Sequence, residues 1–344
     1  MNNLMKLLPL LMCVLLLSNC GKRDDDVSIW PNGDDLQILV QDQYTTLPAK
    51  VSIFFKVENN DGDPVAGLRN EDFTIFEKGK NDTEMRPISE DEALRQISPR
   101  RQVFIYNTLL VLDLSGSVSN NYLIELKEAS KNFVDAVMPA DNDGSVKMMI
   151  KWFDGANELH HLSDLSDDPV ALKSAIESVD ADISNDNSTD LYGAVVRAHS
   201  IVDQVLAQDA DVNSAASIVL FTDGTDQAAR YSKEEALNTV NGARETISFY
   251  TIGLGSEIDG EVLRRLGKNA FAFAENTNQL ISVFEDIARR VTDEANSYYL
   301  FEYCSPKRDG AGMVELKLTV EKDGNAGEEI TSFDATNFEG GCNL

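Results

Sequence analysis

The middle of the chain carries the apolar pattern of strands in a parallel sheet. Between residues 101 and 297, short apolar runs that suit strands buried on both faces recur at 109–112, 148–153, 218–221 and 247–252. Segments with apolar residues at helical spacing lie between them, as in Leu126, Ala129, Phe133 and Val137, and again in Leu280, Phe284, Ile287 and Val291. This alternation predicts an α/β fold with a doubly wound, mostly parallel sheet flanked by helices.

The two ends of the chain carry a different pattern, with a period of two residues. Within residues 37–100 the alternating apolar positions are Val51, Ile53, Phe55 and Val57, and within residues 298–344 they are Val314, Leu316, Leu318 and Val320. Such alternation is typical of strands with one buried face. Because the first segment alone makes a thin sandwich, we expect the two ends to pair into one β-sandwich-like domain, with residues 101–297 inserted between them.

The first twenty residues have the pattern of an export signal. Lys6 precedes an apolar run over residues 7–17, which is too short to span a bilayer. The following Leu17-Ser18-Asn19-Cys20 resembles the lipobox of bacterial lipoproteins, although Asn19 stands where Gly or Ala is usual. The resemblance implies a signal peptide over residues 1–19, a lipid on Cys20, a polar tether over 20–36 and a place in the cell envelope, at the outer membrane. A secretory peptide cut elsewhere and an uncleaved anchor are the alternatives.

Of the four cysteines in the chain, Cys13 would leave with the signal peptide and Cys20 would take the lipid. Cys304 and Cys342 remain in a compartment that permits disulfides, so we expect them to be bonded, the alternative being two free thiols. In the chain-entropy model a loop of this length contributes about 4 kcal/mol of stability.

The net charge of the chain and the absence of catalytic motifs from its sequence limit the classes of function that we expect. The 58 acidic and 30 basic residues give a formal charge of -28, which argues against nucleic acid as a partner because two polyanions repel each other. The sequence has no H-E-x-x-H, no nucleophile elbow, no phosphate-binding loop and no dinucleotide fingerprint. We therefore expect a binding protein and not an enzyme.

Oxygen-bearing side chains follow the first central strand, where doubly wound sheets bind their ligands. Asp113, Ser115 and Ser117 stand at every second position, with Gly116 allowing the backbone to bend closely. Carboxylates and hydroxyls are suited to Mg²⁺, Mn²⁺ or Ca²⁺. Alone, this pattern is equally typical of a helix cap.

Two further segments favour a metal site. Thr222-Asp223-Gly224 ends another strand, and Thr189-Asp190 opens a helix. With Asp113-x-Ser115-x-Ser117, these residues together resemble the metal-ion-dependent adhesion site of von Willebrand factor type A domains. Asn187-Ser188 before the threonine departs from the glycines that family members often carry.

The resemblance implies a role for each residue. Ser115 and Ser117 would bind the cation through their hydroxyls, and Thr189 directly or through water. Asp113 and Asp223 would act mainly through water, which leaves an open position for an Asp or Glu carboxylate of a protein ligand. Mg²⁺ is the expected cation, with Mn²⁺ or Ca²⁺ as alternatives, and Asp190 adjoins the site.

Three functions are consistent with such a site. The first is adhesion or partner recognition by a lipid-anchored envelope protein, and the second is an envelope scaffold or assembly factor. A metal-assisted hydrolase is the third, but no acid–base pair stands near the motifs in the sequence.

Overall fold

Strands from both ends and from the middle of the chain form three sheets in the computed structural model, which describes residues 35–97, 104–208, 213–308 and 312–344. In chain order the strands are β1 (Leu36–Thr46), β2 (Lys50–Asn59), β3 (Phe73–Lys78), β4 (Arg86–Ile88), β5 (Arg95–Ile97), β6 (Phe104–Asp113), β7 (Val146–Phe153), β8 (His160–Ser166), β9 (Asn213–Thr222), β10 (Ile247–Leu254), β11 (Ala270–Ala274), β12 (Tyr298–Cys304), β13 (Met313–Lys322) and β14 (Asn325–Asp334). The helices are α1 (Gly116–Asn121), α2 (Leu123–Val137), α3 (Pro169–Glu177), α4 (Leu191–Gln208), α5 (Lys233–Gly242), α6 (Gly260–Leu266) and α7 (Leu280–Asn296).

The central sheet has six strands in the order β11-β10-β9-β6-β7-β8. All neighbouring strands are parallel except β7 and β8, so the predicted doubly wound, mostly parallel sheet is confirmed. Helices α2 and α7 pack into the apolar core on one face, and α4, α5 and α6 into the core on the other. The predicted apolar faces of α2 and α7 are buried throughout, because both helices lie against this sheet.

The two ends of the chain form the predicted sandwich. One sheet has the order β1-β2-β12-β5 and the other β14-β13-β3-β4, so each contains strands from both ends. Strand β12 pairs antiparallel with β2, and β13 pairs antiparallel with β3. The alternating apolar residues of β2 and β13 share one core between the two sheets.

Strand β2 differs from the predicted half-buried strand, because its second face is buried as well. The Phe54 ring on that face is 3% exposed and lies 5.3 Å from the ring of Phe104 and 5.8 Å from that of Tyr298, measured between centroids. These residues begin β6 and β12, the strands by which the chain enters and leaves the inserted domain. The inserted domain therefore covers the face that the pattern alone assigned to solvent.

A buried ion pair joins the same two parts of the molecule. The Lys56 ammonium of β2 lies 3.0 Å from Glu294 Oε1 near the end of α7 and 3.1 Å from Glu58 Oε2. Burial by itself lowers the pKa of Lys56, but the two carboxylates outweigh it and raise the pKa above its ordinary value. The Ser248 hydroxyl donates to the same Glu294 oxygen at 2.9 Å. The Lys56 ammonium and the Glu294 carboxylate are thus both paired with polar or charged groups although they are buried.

The predicted disulfide between Cys304 and Cys342 is present and fastens the C-terminal segment to β12. Cys20, with the predicted signal and most of the tether, lies outside the described residues. Within the described ranges, no helix has both the length and the apolar character needed to cross a bilayer.

Candidate metal-binding site

Asp113 joins the carboxyl ends of two neighbouring strands. It is the last residue of β6 and is fully buried. Its Oδ1 accepts a hydrogen bond from the Ser115 backbone N–H at 2.9 Å, and its Oδ2 accepts one from the Thr222 hydroxyl at 2.6 Å. Because Thr222 ends β9, the carboxylate fixes both strand ends and the turn after β6 at one point.

The electrostatics of this sheet edge favour a cation. Burial raises the pKa of Asp113 to about 7, and repulsion from Asp223 adds to this, while hydrogen bonds from Thr222 and Ser115 act in the opposite direction. Burial also raises the pKa of Asp223, which is 8% exposed. A positive charge held between two such carboxylates would favour their ionised forms. Without a cation, the two carboxyls at these strand ends therefore hold a proton more readily than an exposed aspartate does.

The two serines of the turn differ in their partners. Ser117 Oγ donates to Asp223 Oδ1 at 2.8 Å, which links α1 to the end of β9. Ser115 is fully buried, and its Oγ makes no well-formed hydrogen bond with any described residue. A buried hydroxyl without a partner costs about 1–3 kcal/mol. A cation that this oxygen ligates would remove that cost, so the side chains present fit a bound cation.

Thr189 reaches the same edge from the loop before α4. It is 2% exposed, and a Cβ built on Gly224 would lie 3.7 Å from its Oγ1, which places its hydroxyl beside the turn that follows β9. The Gly116 N–H donates to the Asn187 carbonyl at 3.3 Å, and a Cβ on this glycine would lie 2.7 Å from Asn187 Oδ1. The glycine thus makes room for the asparagine that departs from the family pattern.

The five predicted site residues are therefore brought together at one edge of the sheet. They offer two carboxylates and three hydroxyls, a donor set that suits Mg²⁺, Mn²⁺ or Ca²⁺. The described ranges contain no cluster of three or more His, Cys, Asp or Glu side chains suited to a metal ion, and the candidate site itself combines only two carboxylates with hydroxyls.

Asp190 is buried next to Thr189 but turns toward arginines. Its Oδ2 accepts a hydrogen bond from Arg197 Nη1 at 2.8 Å and lies 3.8 Å from Arg230 Nε, while its Oδ1 makes no hydrogen bond with a described residue. Its backbone N–H donates to the Asp154 carbonyl at 2.9 Å. Asp190 thus supports the loop that carries Thr189.

The contacts that surround Asp154 were not predicted from the sequence. Asp154 begins the loop after β7, and its carboxylate accepts a hydrogen bond from Ser184 at 2.8 Å and lies 3.3 Å from His160 Nε2. The His160 ring stacks on Trp152, with 3.9 Å between centroids. Thr222 stands in the motif that was recognised, so its position at a strand end was a usable signal. Ser184, His160 and Trp152 make their contacts through side chains, and no spacing pattern in the sequence marks these contacts.

The inserted α/β part of the chain matches a known domain family. The family model for the von Willebrand factor type A domain matches residues 108–225, a range that contains the five candidate ligands. Such a domain is therefore supported for the inserted α/β part of the chain.

The whole proteins to which the chain is similar are distant relatives. The chain is similar to inter-alpha-trypsin inhibitor heavy chain H1 from Homo sapiens, with 24% identity over 195 residues that make up 56% of this chain and 20% of that protein. It matches the Mesocricetus auratus protein of the same name at 22% identity over 202 residues, covering 56% of this chain and 21% of that one. The chain thus spans about a fifth of the length of these curated relatives.

Solved structures resemble the fold at low identity. A von Willebrand factor type A structure from Catenulispora acidiphila has a TM-score of 0.45 at 12% identity, covering 88% of this chain and 76% of its own. Proximal thread matrix protein 1 from the mussel byssus, "with zinc occupied MIDAS motif", has a TM-score of 0.46 at 13% identity, covering 55% and 48%. The family model and the topology of the central sheet support the domain independently of these distant structures.

Proposed function

We propose that the protein binds a protein ligand through a divalent cation and acts in adhesion or partner recognition. The cation would be held by Asp113, Ser115, Ser117, Thr189 and Asp223. The observation that carries this proposal is the buried Ser115 hydroxyl, which makes no well-formed hydrogen bond with a described residue and stands two positions after the buried Asp113.

The hydrogen bonds around the site indicate which side chains would bind the cation directly and which would bind it through water. Asp113 already accepts hydrogen bonds on both carboxylate oxygens, which favours contact with the cation through water. The hydroxyls of Ser115 and Ser117 would be direct ligands. When bound, the cation would supply an electrophilic centre for an Asp or Glu carboxylate of the partner, with Mg²⁺ as the first candidate and Mn²⁺ or Ca²⁺ as alternatives.

The setting that we propose is the cell envelope, at the outer membrane. A lipid on Cys20 would anchor the chain, and residues 20–36 would tether the sandwich to the membrane. This part of the proposal is supported by the sequence alone.

Calorimetric titration of the purified protein with Mg²⁺, Mn²⁺ and Ca²⁺ tests the cation site. We expect one saturable site that Asp113→Ala and Ser117→Ala abolish. Ser130→Ala is the matched control, because it removes a buried hydroxyl on α2 that also lacks a hydrogen bond among described residues. Loss of binding in this control as well, or no saturable binding in the unaltered protein, would contradict the proposal. Pull-downs with and without chelator would then identify the ligand.

A further inference from the structure

Residues 226–230, which we call the clip, hold the main chain of Thr189. The backbone N–H groups of Gln227 and Ala228 both donate to the Thr189 carbonyl oxygen, at 2.8 and 3.1 Å. On the other side of this residue, the N–H of Asp190 donates to the Asp154 carbonyl oxygen at 2.9 Å. Thr189 is therefore fixed between the loop after β9 and the loop after β7.

The clip is itself held in an uncommon shape. Asp226 Oδ1 accepts a hydrogen bond from the Tyr192 N–H in the first turn of α4 at 3.1 Å, and its Oδ2 accepts one from the Ala229 N–H at 3.0 Å. Ala229 has a φ of 50°, in the left-handed region that alanine disfavours. Such a conformation persists where the surrounding contacts determine it, as the Asp226 carboxylate does in this turn.

Arg230 connects the clip to the loop after β7. Its Nε and Nη2 donate to the Gly155 carbonyl oxygen at 3.1 and 2.7 Å, and its Nε lies 3.8 Å from Asp190 Oδ2. A planar guanidinium can hold both groups at once, which a point-like ammonium does less well. The one side chain thus spans the two loops that hold Thr189 from opposite sides.

We propose that the clip positions Thr189 for the cation, with Arg230 as its positioning residue. This inference rests on the proposed function, because it assumes that Thr189 contributes to a cation site. Residues behind the ligands of a metal typically affect its affinity by about 10–100-fold. Mg²⁺ demands near-ideal octahedral geometry, whereas Ca²⁺ accepts flexible ligand sets. Loosening Thr189 should therefore weaken Mg²⁺ binding more than Ca²⁺ binding.

The test is titration of the full chain with each metal alone. We expect Arg230→Met to weaken Mg²⁺ binding by about tenfold or more, with a smaller loss for Ca²⁺, and Arg230→Lys to recover part of the Mg²⁺ loss. Arg244→Met is the matched control, because it removes an arginine that pairs with Asp203 at 2.7 Å in the same domain. Melting temperatures in chelator report whether each variant is folded.

A second variant keeps the test decisive if Arg230→Met does not fold. Asp226→Asn leaves one acceptor oxygen where the carboxylate has two, so it should give a weaker loss of the same Mg²⁺-selective kind. Unchanged Mg²⁺ affinity in folded variants of Arg230 and Asp226 would overturn the clip and leave the cation site intact. The clip would also be overturned if Arg230→Met weakened Mg²⁺ and Ca²⁺ binding equally and the control Arg244→Met weakened both by the same amount. Absence of binding in the unaltered protein would overturn both proposals.

Discussion

Removal of the Ser115 hydroxyl should change stability in opposite directions without and with metal. Without metal, the buried Oγ has no well-formed hydrogen bond among described residues, and such a group costs about 1–3 kcal/mol. Ser115→Ala deletes the oxygen and leaves a methyl group of similar shape. We therefore expect the variant to be more stable than the unaltered protein in chelator, by about 1 kcal/mol, taking the lower limit.

Saturating Mg²⁺ should reverse this order. A ligand at a hundred times its Kd stabilises the folded state by about 2.7 kcal/mol, and a variant that no longer binds gains nothing. The unaltered protein would then exceed Ser115→Ala by about 2 kcal/mol, the difference between the gain from metal and the cost of the orphaned hydroxyl. No substitution that merely damages the fold produces such a crossing.

Urea denaturation at 25 °C, in chelator and in Mg²⁺, measures both values. The control is Ser130→Ala, which also deletes a buried hydroxyl that lacks a hydrogen bond but lies on α2. It should leave the Mg²⁺-dependent gain unchanged. Two results would refute the reasoning: a Ser115→Ala variant that is less stable in chelator, or one that keeps the whole stabilisation by Mg²⁺. The first would mean that the hydroxyl has a partner in the metal-free protein, and the second that it is not a ligand.

Three further predictions concern the framework and use unfolding free energies. Lys56→Met leaves the 1%-exposed Glu294 without its ammonium and should cost about 3–5 kcal/mol, whereas the double variant with Glu294→Gln should recover part of that loss; equal losses would contradict a direct pairing. Reduction of the disulfide, which closes a separation of 38 residues, should lower stability by about 4 kcal/mol, and no change on reduction would refute its structural role. Gly327→Ala on β14 places a Cβ against the backbone of β1 and should cost about 1–3 kcal/mol, whereas Gly340→Ala, with open space around it, should change little.

The candidate ligands could be predicted from the sequence because a parallel sheet sorts its strand ends by direction. Asp113 and Asp223 follow apolar strand patterns, so both had to lie at the carboxyl edge. The strand order β9-β6 then makes them neighbours, and the Ser117–Asp223 hydrogen bond joins residues 106 positions apart. The clip could not be predicted in this way. Arg230 donates to the Gly155 carbonyl oxygen, 75 residues away. Because every residue has a main-chain carbonyl, the residue type at the acceptor position does not indicate this contact.

The burial of β2 on both faces shows what the period-two pattern leaves out. The pattern identifies the face with Val51, Ile53 and Phe55, but Phe54 on the opposite face was the sign of a second covering layer, because a large aromatic ring is costly to leave in water. That layer is the inserted domain, which contacts the ring through Phe104 at the first residue of β6.

The direction of β6 gives this contact a consequence for the site. The strand runs from Phe104, against the sandwich, to Asp113, at the candidate cation site. Its 10 residues, at about 3.3 Å each, separate the two by about 30 Å. The carboxyl edge of the sheet therefore lies at the far end of β6 from the sandwich, so the proposed binding of a partner there would not require the strands at either end of the chain to move.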